Sequence, residues 1–438
     1  MKQTKTKLSS RFWIALTVFS LVGQIAWVVE NMYLNVFIYK MFRASAGDIS
    51  LMVAASAVAA TVTTVLIGAL SDKIGRRKLF ICGGYILWGV SILSFILLRE
   101  EILGALFPMA ASAAAVGVSL VIILDCVMTF FGSSANDAAF NAWLTDSTDE
   151  TNRGSAEGIN AMMPLVAILA VFGGFMAFDL DRAESWTVIF AVIGTVVLAV
   201  GVLGLFLLRE PEIRPAQAKY LNTVVHGFLP STVRENVPLY LCLAAFVVFN
   251  ISIQIFMPYL ILYYEVSLGM SDYVFVMAPA IVLASVVTAL WGKVYDRRGF
   301  PLSVGISMAW LMAGYGILYF FTSTVPVFLG SLLMMCGYLS GMAVFGARIR
   351  DLTPRGKAGM FQGIRIFSQV LLPGLIGPFI GKTVLSGARM IENSDGTQSF
   401  VPNVNIFAAA FAAAAVLALC LVAANIIRQK KASRNPGA

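Results

Sequence analysis

The stretch Gly68-Ala-Leu-Ser-Asp72-Lys73-Ile74-Gly75-Arg76-Arg77-Lys78 joins two long apolar runs. Each residue type has a physical use at such a junction. Gly68 permits close backbone approach between helices. Asp72 supplies an anion that can face a helix N-terminus or a cation. Gly75 lets the chain turn. Arg76, Arg77 and Lys78 hold the loop on one membrane face. The pattern recurs as Gly292-Lys-Val-Tyr-Asp296-Arg297-Arg298-Gly299, so an ordinary basic loop is a poor account of it.

The rest of the chain agrees with a membrane setting. Of its 438 residues, 59% are hydrophobic and 12% charged, too few charges to cover a soluble protein of this size. The apolar runs approach the ~20 residues that cross a bilayer as a helix. The short alternating segments of barrel strands do not occur. The spacing predicts spans at 12–39, 50–71, 79–98, 113–143, 156–179, 187–208, 238–264, 271–292, 302–321, 326–347, 359–383 and 404–427. Residues 99–112 are read as an extension or short interfacial helix before span 4. The basic, then apolar N-terminus is read as span 1, because Gln24, Glu30, Asn31 and Asn35 and the length of the run do not suit a signal peptide.

The charge of +8 is not a nucleic-acid stripe, since the basic residues fall in alternate loops. With the N-terminus placed in the cytoplasm, 25 of the 31 Lys and Arg lie on that side and 6 outside. That ratio predicts both termini inside, in the plasma (inner) membrane. The five cysteines lie in apolar runs without a CxxC pair, and the lone His226 lies in a loop. We therefore expect no metal site and no cofactor. No GxxxxGK[ST], HExxH or GxSxG context is present, which argues against an enzyme.

The connection 209–237 carries Pro211, Pro215 and Pro230 and divides the chain into residues 1–208 and 238–438. Three echoes link these halves. Asp72 recurs as Asp296, offset by 224. Glu157-Gly158-Ile159 recurs as Gln362-Gly363-Ile364, offset by 205. Asn31 and Asn35 recur as Asn250 and Gln254, offset by 219. Their common order predicts an all-α membrane protein of twelve transmembrane helices in two pseudo-symmetric six-helix bundles. In segment 384–403, Asp395-Gly396 is a turn signal compatible with a small hairpin.

The Gly68–Lys78 loop, with these spans and this repeat, resembles the signature of the major facilitator superfamily. The resemblance implies a transporter working by alternating access around a central cavity. It also implies a latch in which Asp72 faces the start of span 11, near Gly356–Phe361. On that reading Gly68, Asp72, Gly75, Arg76, Asp296 and Arg297 are gating residues rather than cargo ligands.

Cargo and coupling residues are sought among polar groups at bilayer depth, where they are costly. Three acids lie away from the span ends: Glu30, Asp125 and Asp137. No Lys or Arg lies well inside a predicted span, so the proton is the obvious counter-charge. These are the candidate proton-coupling residues. At 100° per residue, Gln24, Asn31 and Asn35 fall within about 40° of one another. Glu30, Tyr33 and Phe37 form a second sector, with Trp27 between. Amides and aromatic rings together suit a polyhydroxyl ligand. The alternative for these groups is interhelical hydrogen bonding. Candidate substrate-binding residues are Gln24, Trp27, Asn31, Tyr33, Asn35, Asn250, Gln254 and Gln369. Arg365 and Gln362 open span 11 and are assigned to gating or the surface.

Ile123-Leu124-Asp125 and Ser133-Ser-Ala-Asn-Asp137-Ala-Ala-Phe-Asn141-Ala142-Trp143-Leu144-Thr145-Asp146 resemble sucrose–proton symporters and their glycoside–pentoside–hexuronide relatives. Two departures stand out. The Arg of the closing pattern falls on Asn141, and the paired span-2 acids of sodium-coupled sugar members are missing, since 50–71 holds no acid. The reading is proton-coupled uptake of a sugar or glycoside, by a monomer whose partners are a small-molecule substrate, the proton and the lipid bilayer. The alternatives are proton-coupled efflux of drugs, amphiphiles or lipids, uptake of another small metabolite, and a non-transporting membrane receptor.

Overall fold

The computed structural model describes residues 8–110, 112–149, 152–210, 228–354, 364–393 and 396–434. Almost everything in it is helical, as a chain in lipid requires, because only helices satisfy their own backbone polar groups without water. Among the described residues, eleven helices are long and apolar enough to cross a membrane. One of them, Val274–Phe320, has 47 residues, about 70 Å of helix and twice a bilayer's thickness. It is broken at Gly299, where φ is 73°, a left-handed conformation that glycine adopts without a side-chain clash. It therefore counts as two spans, and the total among the described residues is twelve.

In chain order the spans are span 1 (Ser10–Phe42), span 2 (Ala46–Ile74), span 3 (Arg77–Leu97), span 4 (Ala113–Asp146), span 5 (Ser155–Phe175) and span 6 (Ala183–Leu207). Then come span 7 (Val237–Ser267), spans 8 and 9 on either side of Gly299, span 10 (Thr324–Leu352), span 11 (Ile364–Val384) and span 12 (Asn405–Ala424). The expected extension before span 4 is a short helix, Glu100–Leu106.

Local signals set the helix ends. Ser9 caps span 1 by accepting from the Phe12 amide at 3.2 Å. Ser45 and Asp48 form a capping box ahead of span 2, which satisfies two free amides reciprocally. Span 2 ends at Gly75, with φ of 69°.

The chain divides into two compact units. Unit 1 is Met1–Gly227 with Met390–Phe400, and unit 2 is Phe228–Arg389 with Val401–Ala438. Most of the segment 209–237 lies outside the described residues. In unit 1, spans 3 and 6 approach closely at Gly89. A Cβ added there would sit 2.5 Å from the Leu198 amide nitrogen and 2.7 Å from the Gly194 carbonyl oxygen. Both are backbone atoms and cannot rotate away. We expect Gly89→Val to cost about 3 kcal/mol and to show as loss of the monodisperse peak in detergent gel filtration.

A two-stranded hairpin, β1 (Met390–Glu392) and β2 (Gln398–Phe400), pairs Met390 with Phe400 and Glu392 with Gln398. It packs with unit 1 although the chain on both sides belongs to unit 2. The Tyr39 hydroxyl donates to the Phe400 carbonyl at 2.6 Å, and Arg43 donates to the Thr397 hydroxyl at 3.0 Å.

Candidate functional site

Spans 1, 4, 7 and 11 each contain a widened π-helical turn: Val29–Tyr33, Ser133–Phe140, Tyr263–Ser267 and Phe367–Leu371. Such turns insert an extra residue into the ladder and recur at functional sites. Glu30, Asp137 and Gln369 lie within three of them.

Three spans of unit 1 bring polar groups together. Glu30 on span 1 is 6% exposed and Asp125 on span 4 is 2% exposed. Thr129 lies one turn from Asp125 on the same helix face. Its hydroxyl donates to Glu30 Oε1 at 2.7 Å. Ser56 on span 2 donates to Glu30 Oε1 at 3.2 Å and lies 2.7 Å from the Thr129 hydroxyl. Two hydroxyls offer only two hydrogens to two carboxyl groups. Glu30 Oε2 and Asp125 Oδ1 are accordingly buried without a hydrogen-bond partner among the described residues.

An indole pair borders this cluster. Trp27 and Trp88 stand 5.2 Å apart by ring centroids, and Gly132 leaves the room they occupy, since a Cβ there would lie 2.8 Å from Trp88 and 3.2 Å from Trp27. Both indole N–H groups are buried without an acceptor among the described residues. Further along, the Ser133 hydroxyl donates to Asp137 at 3.0 Å. The Tyr85 hydroxyl lies 3.3 Å from Asn136 Oδ1 and donates to the Phe19 carbonyl at 2.7 Å.

Burial along the amide stripe of span 1 is uneven. Asn31 is exposed and Asn35 is buried. The π turn between Gln24 and Asn35 changes the angular register that 100° per residue assumes. Asn31 donates to the Trp27 carbonyl at 2.8 Å, and Asn35 to the Asn31 carbonyl at 2.9 Å. Asn35 Oδ1 is without a partner among the described residues, while Gln24 is half-buried. Tyr33 is fully buried against span 5, 4.2 Å from Phe175 by ring centroids. In unit 2, Asn250 donates to the Phe246 carbonyl at 2.8 Å. Gln254 packs against Gly377 of span 11, and Gln369 is half-buried.

The loop after span 2 forms a charge cluster within unit 1. Arg77, its side chain 6% exposed, pairs with Asp72 and, at 3.1 Å, with Asp146 from the end of span 4. It also donates to Ser71 at 2.5 Å, and its backbone amide donates to Glu210. Arg76 is exposed. The segment Gly356–Phe361 that Asp72 was expected to face, together with Gln362, lies outside the described residues. Asp296 and Arg297 in the corresponding loop of unit 2 are exposed. There the Tyr295 hydroxyl donates to Asp351.

Sequence reasoning passed over Ser56, Thr129, Trp88 and the ion-pairing role of Arg77. Ser and Thr occur throughout these spans, so no local pattern distinguishes the two that meet Glu30. Arg77 is told from its exposed neighbour only by the helix that begins there and turns it inward.

The profile of the Major Facilitator Superfamily matches residues 12–378. No curated protein matches by sequence. Among solved structures, the nucleoside transporter NupG is similar with a TM-score of 0.68 at 12% identity, covering 94% of this chain and 98% of that one. A D-xylose–proton symporter is similar with a TM-score of 0.69 at 14% identity, covering 94% and 96%. An inward-facing bacterial homologue of the human lysosomal transporter Spinster has a TM-score of 0.65 at 14% identity, covering 96% of each chain. At such identities these neighbours speak for the fold alone, and the profile, spanning most of the chain, carries the family. With twelve apolar spans and a repeated Asp-Arg loop, the chain is an integral membrane transporter of the Major Facilitator Superfamily, not an enzyme.

Proposed function

We propose that this chain imports a sugar or glycoside together with a proton, by alternating access of residues 1–208 and 238–438 joined by the linker 209–237. The observation that carries the reading is a set of atoms in unit 1 buried without partners among the described residues: Trp27 and Trp88 offer donors and Asn35 an acceptor to cargo, and Glu30 and Asp125 offer open carboxyl oxygens to the proton. A polyhydroxyl ligand supplies both kinds at once, since each hydroxyl donates and accepts. A purely apolar cargo supplies neither. One fold neighbour is named a D-xylose–proton symporter, which agrees with this reading.

Glu30 and Asp125 carry the proton, and Asp137 serves it nearer the basic loops. Trp27, Asn31, Asn35 and Gln24 contact cargo from span 1, with Tyr33 holding that span against span 5. Asn250, Gln254 and Gln369 contribute from unit 2. Asp72, with Gly68, Gly75 and Arg76, gates one end, with Asp296 and Arg297 in the matching loop. The basic loops and both termini face the cytoplasm of a plasma membrane, and the chain acts as a monomer.

The test is uptake into proteoliposomes over a glycoside panel, with and without an imposed proton gradient. Accumulation of at least one glycoside above its external concentration, only with the gradient, is the expected result. Saturable uptake that ignores the gradient removes the coupling. Dye extrusion with no uptake of any sugar replaces the proposal by efflux.

A further inference from the structure

The end of unit 1 opposite the Gly68–Lys78 loop holds a charged cavity, apart from the residues assigned to cargo, coupling and gating. We propose that it binds the head group of a zwitterionic phospholipid with a primary ammonium, phosphatidylethanolamine, from the membrane leaflet at that end. Arg99 takes the phosphate and Glu101 takes the ammonium.

The cavity measures about 260 Å3 and lies where the ends of spans 1 and 3, the helix Glu100–Leu106 and the start of span 6 meet. That is near the lower end of ligand-pocket sizes. Seven charged side chains line it, and most are matched. Lys40 pairs with Asp181 at 3.1 Å, Arg43 with Glu100 at 2.7 Å, and Glu184 with Arg182 at 3.8 Å. Arg99 and Glu101 are left over. Neither joins an ion pair among the described residues, where the Arg99 guanidinium donates only to the Thr187 hydroxyl. A guanidinium offers five N–H donors, so one neutral acceptor leaves most of them open.

A spare cation and a spare anion that line one cavity without meeting each other suit a ligand bearing both charges. A lone anion would satisfy Arg99 and be repelled by Glu101. A zwitterion answers both. Guanidinium and phosphate match in a fork of charge-assisted hydrogen bonds, and a primary ammonium has three donors for a carboxylate.

Position argues for a lipid rather than a soluble zwitterion. The cavity sits at the ends of membrane spans, the depth of the head groups. Val188 follows the lining residue Thr187, and Val188, Val192 and Val196 continue down one face of span 6 at four-residue spacing, all exposed. An acyl chain on that stripe begins where the head group is held. If Arg99 merely reached toward head groups in general, as long basic side chains near span ends do, phospholipids would bind without preference.

The experiment is native mass spectrometry of the full chain in detergent, titrated with phosphatidylethanolamine, phosphatidylcholine and phosphatidylglycerol of matched acyl chains. The first phosphatidylethanolamine should bind about tenfold more tightly than the other two. The quaternary nitrogen of phosphatidylcholine donates no hydrogen bond, and phosphatidylglycerol has no cation. Glu101→Gln should erase that preference, and Arg99→Gln should weaken all three lipids by about tenfold. A thermal melt without added lipid checks the fold of each variant. Free phosphoethanolamine should displace the lipid only at far higher concentration, since it lacks the chains. Displacement at equal concentration assigns the cavity to a soluble zwitterion and overturns the lipid. Equal binding of the three lipids by the unaltered chain, a comparison that needs no variant, overturns the proposal. So does a preference that survives both substitutions.

Discussion

Glu30→Gln is expected to reduce gradient-driven accumulation of cargo to equilibrium. A proton-motive force of 100 mV is worth about 2.3 kcal/mol per charge, enough to sustain roughly fifty-fold accumulation. A transporter that binds cargo without carrying the proton reaches only about one-fold. Gln is nearly isosteric and can still accept from the Thr129 hydroxyl, which now lies 2.7 Å from Glu30 Oε1, so the substitution removes the exchangeable proton and little else. Asp125→Asn should act in the same direction. Cargo-for-cargo exchange, which needs no net proton movement, should persist in both. The measurement is paired: labelled cargo accumulated under an imposed gradient, and labelled cargo exchanged without one. Wild-type accumulation by both variants would take the coupling role away from these acids. Loss of exchange as well would point to a role in cargo binding or in folding, which a thermal melt of the same preparation separates.

Arg77→Met is expected to destabilise unit 1 far more than Arg76→Met. Arg77 is buried and answers the charges of Asp72 and Asp146 while donating to Ser71. Removing it leaves two carboxylates facing each other with no cation between them. The two carboxylates keep 27% and 30% of their side chains in contact with solvent, so the cost is that of lost charge-assisted hydrogen bonds, about 2–3 kcal/mol. Arg76 is exposed, and its loss should be worth about 0.5 kcal/mol or less. The check is a thermal melt in detergent, with a marked drop for Arg77→Met and almost none for Arg76→Met. Asp146→Asn should fall between them, because it removes one of two anions and leaves Arg77 paired with Asp72. If the two arginine variants melt alike, the buried cluster does not hold this end of unit 1 together. Transport by Arg76→Met then addresses its proposed part in gating separately, since its fold is expected to be intact.

These two expectations differ in how far the sequence foresees them. Glu30 and Asp125 stand out as acids inside apolar runs, a signal that depends only on composition and the cost of charge in lipid. Their union through Ser56 and Thr129 does not, because it requires spans 1, 2 and 4 to meet at one depth. The three residues after Gly75 look alike as a basic run, yet Arg77 turns inward at the start of span 3 and Arg76 does not. The uneven burial of the amide stripe of span 1 has a different reason. A wheel drawn at a fixed angle cannot anticipate a π turn at Val29–Tyr33, so Asn31 and Asn35 part company although their spacing puts them together.

The sequence by itself determined the membrane class, the twelve spans and the superfamily. Those follow from run length, charge placement and a loop whose residue types are each needed where they stand. The break at Gly299 was marked by the same repeat, because a positive φ selects glycine. Only the tertiary structure decided which hydroxyls meet the acids, which arginine is buried, and that the hairpin Met390–Phe400 packs with unit 1. The physical reason is range. Hydropathy and turn chemistry act over a few residues, whereas Thr129 lies 99 positions from Glu30 and reaches it only once the helices have packed.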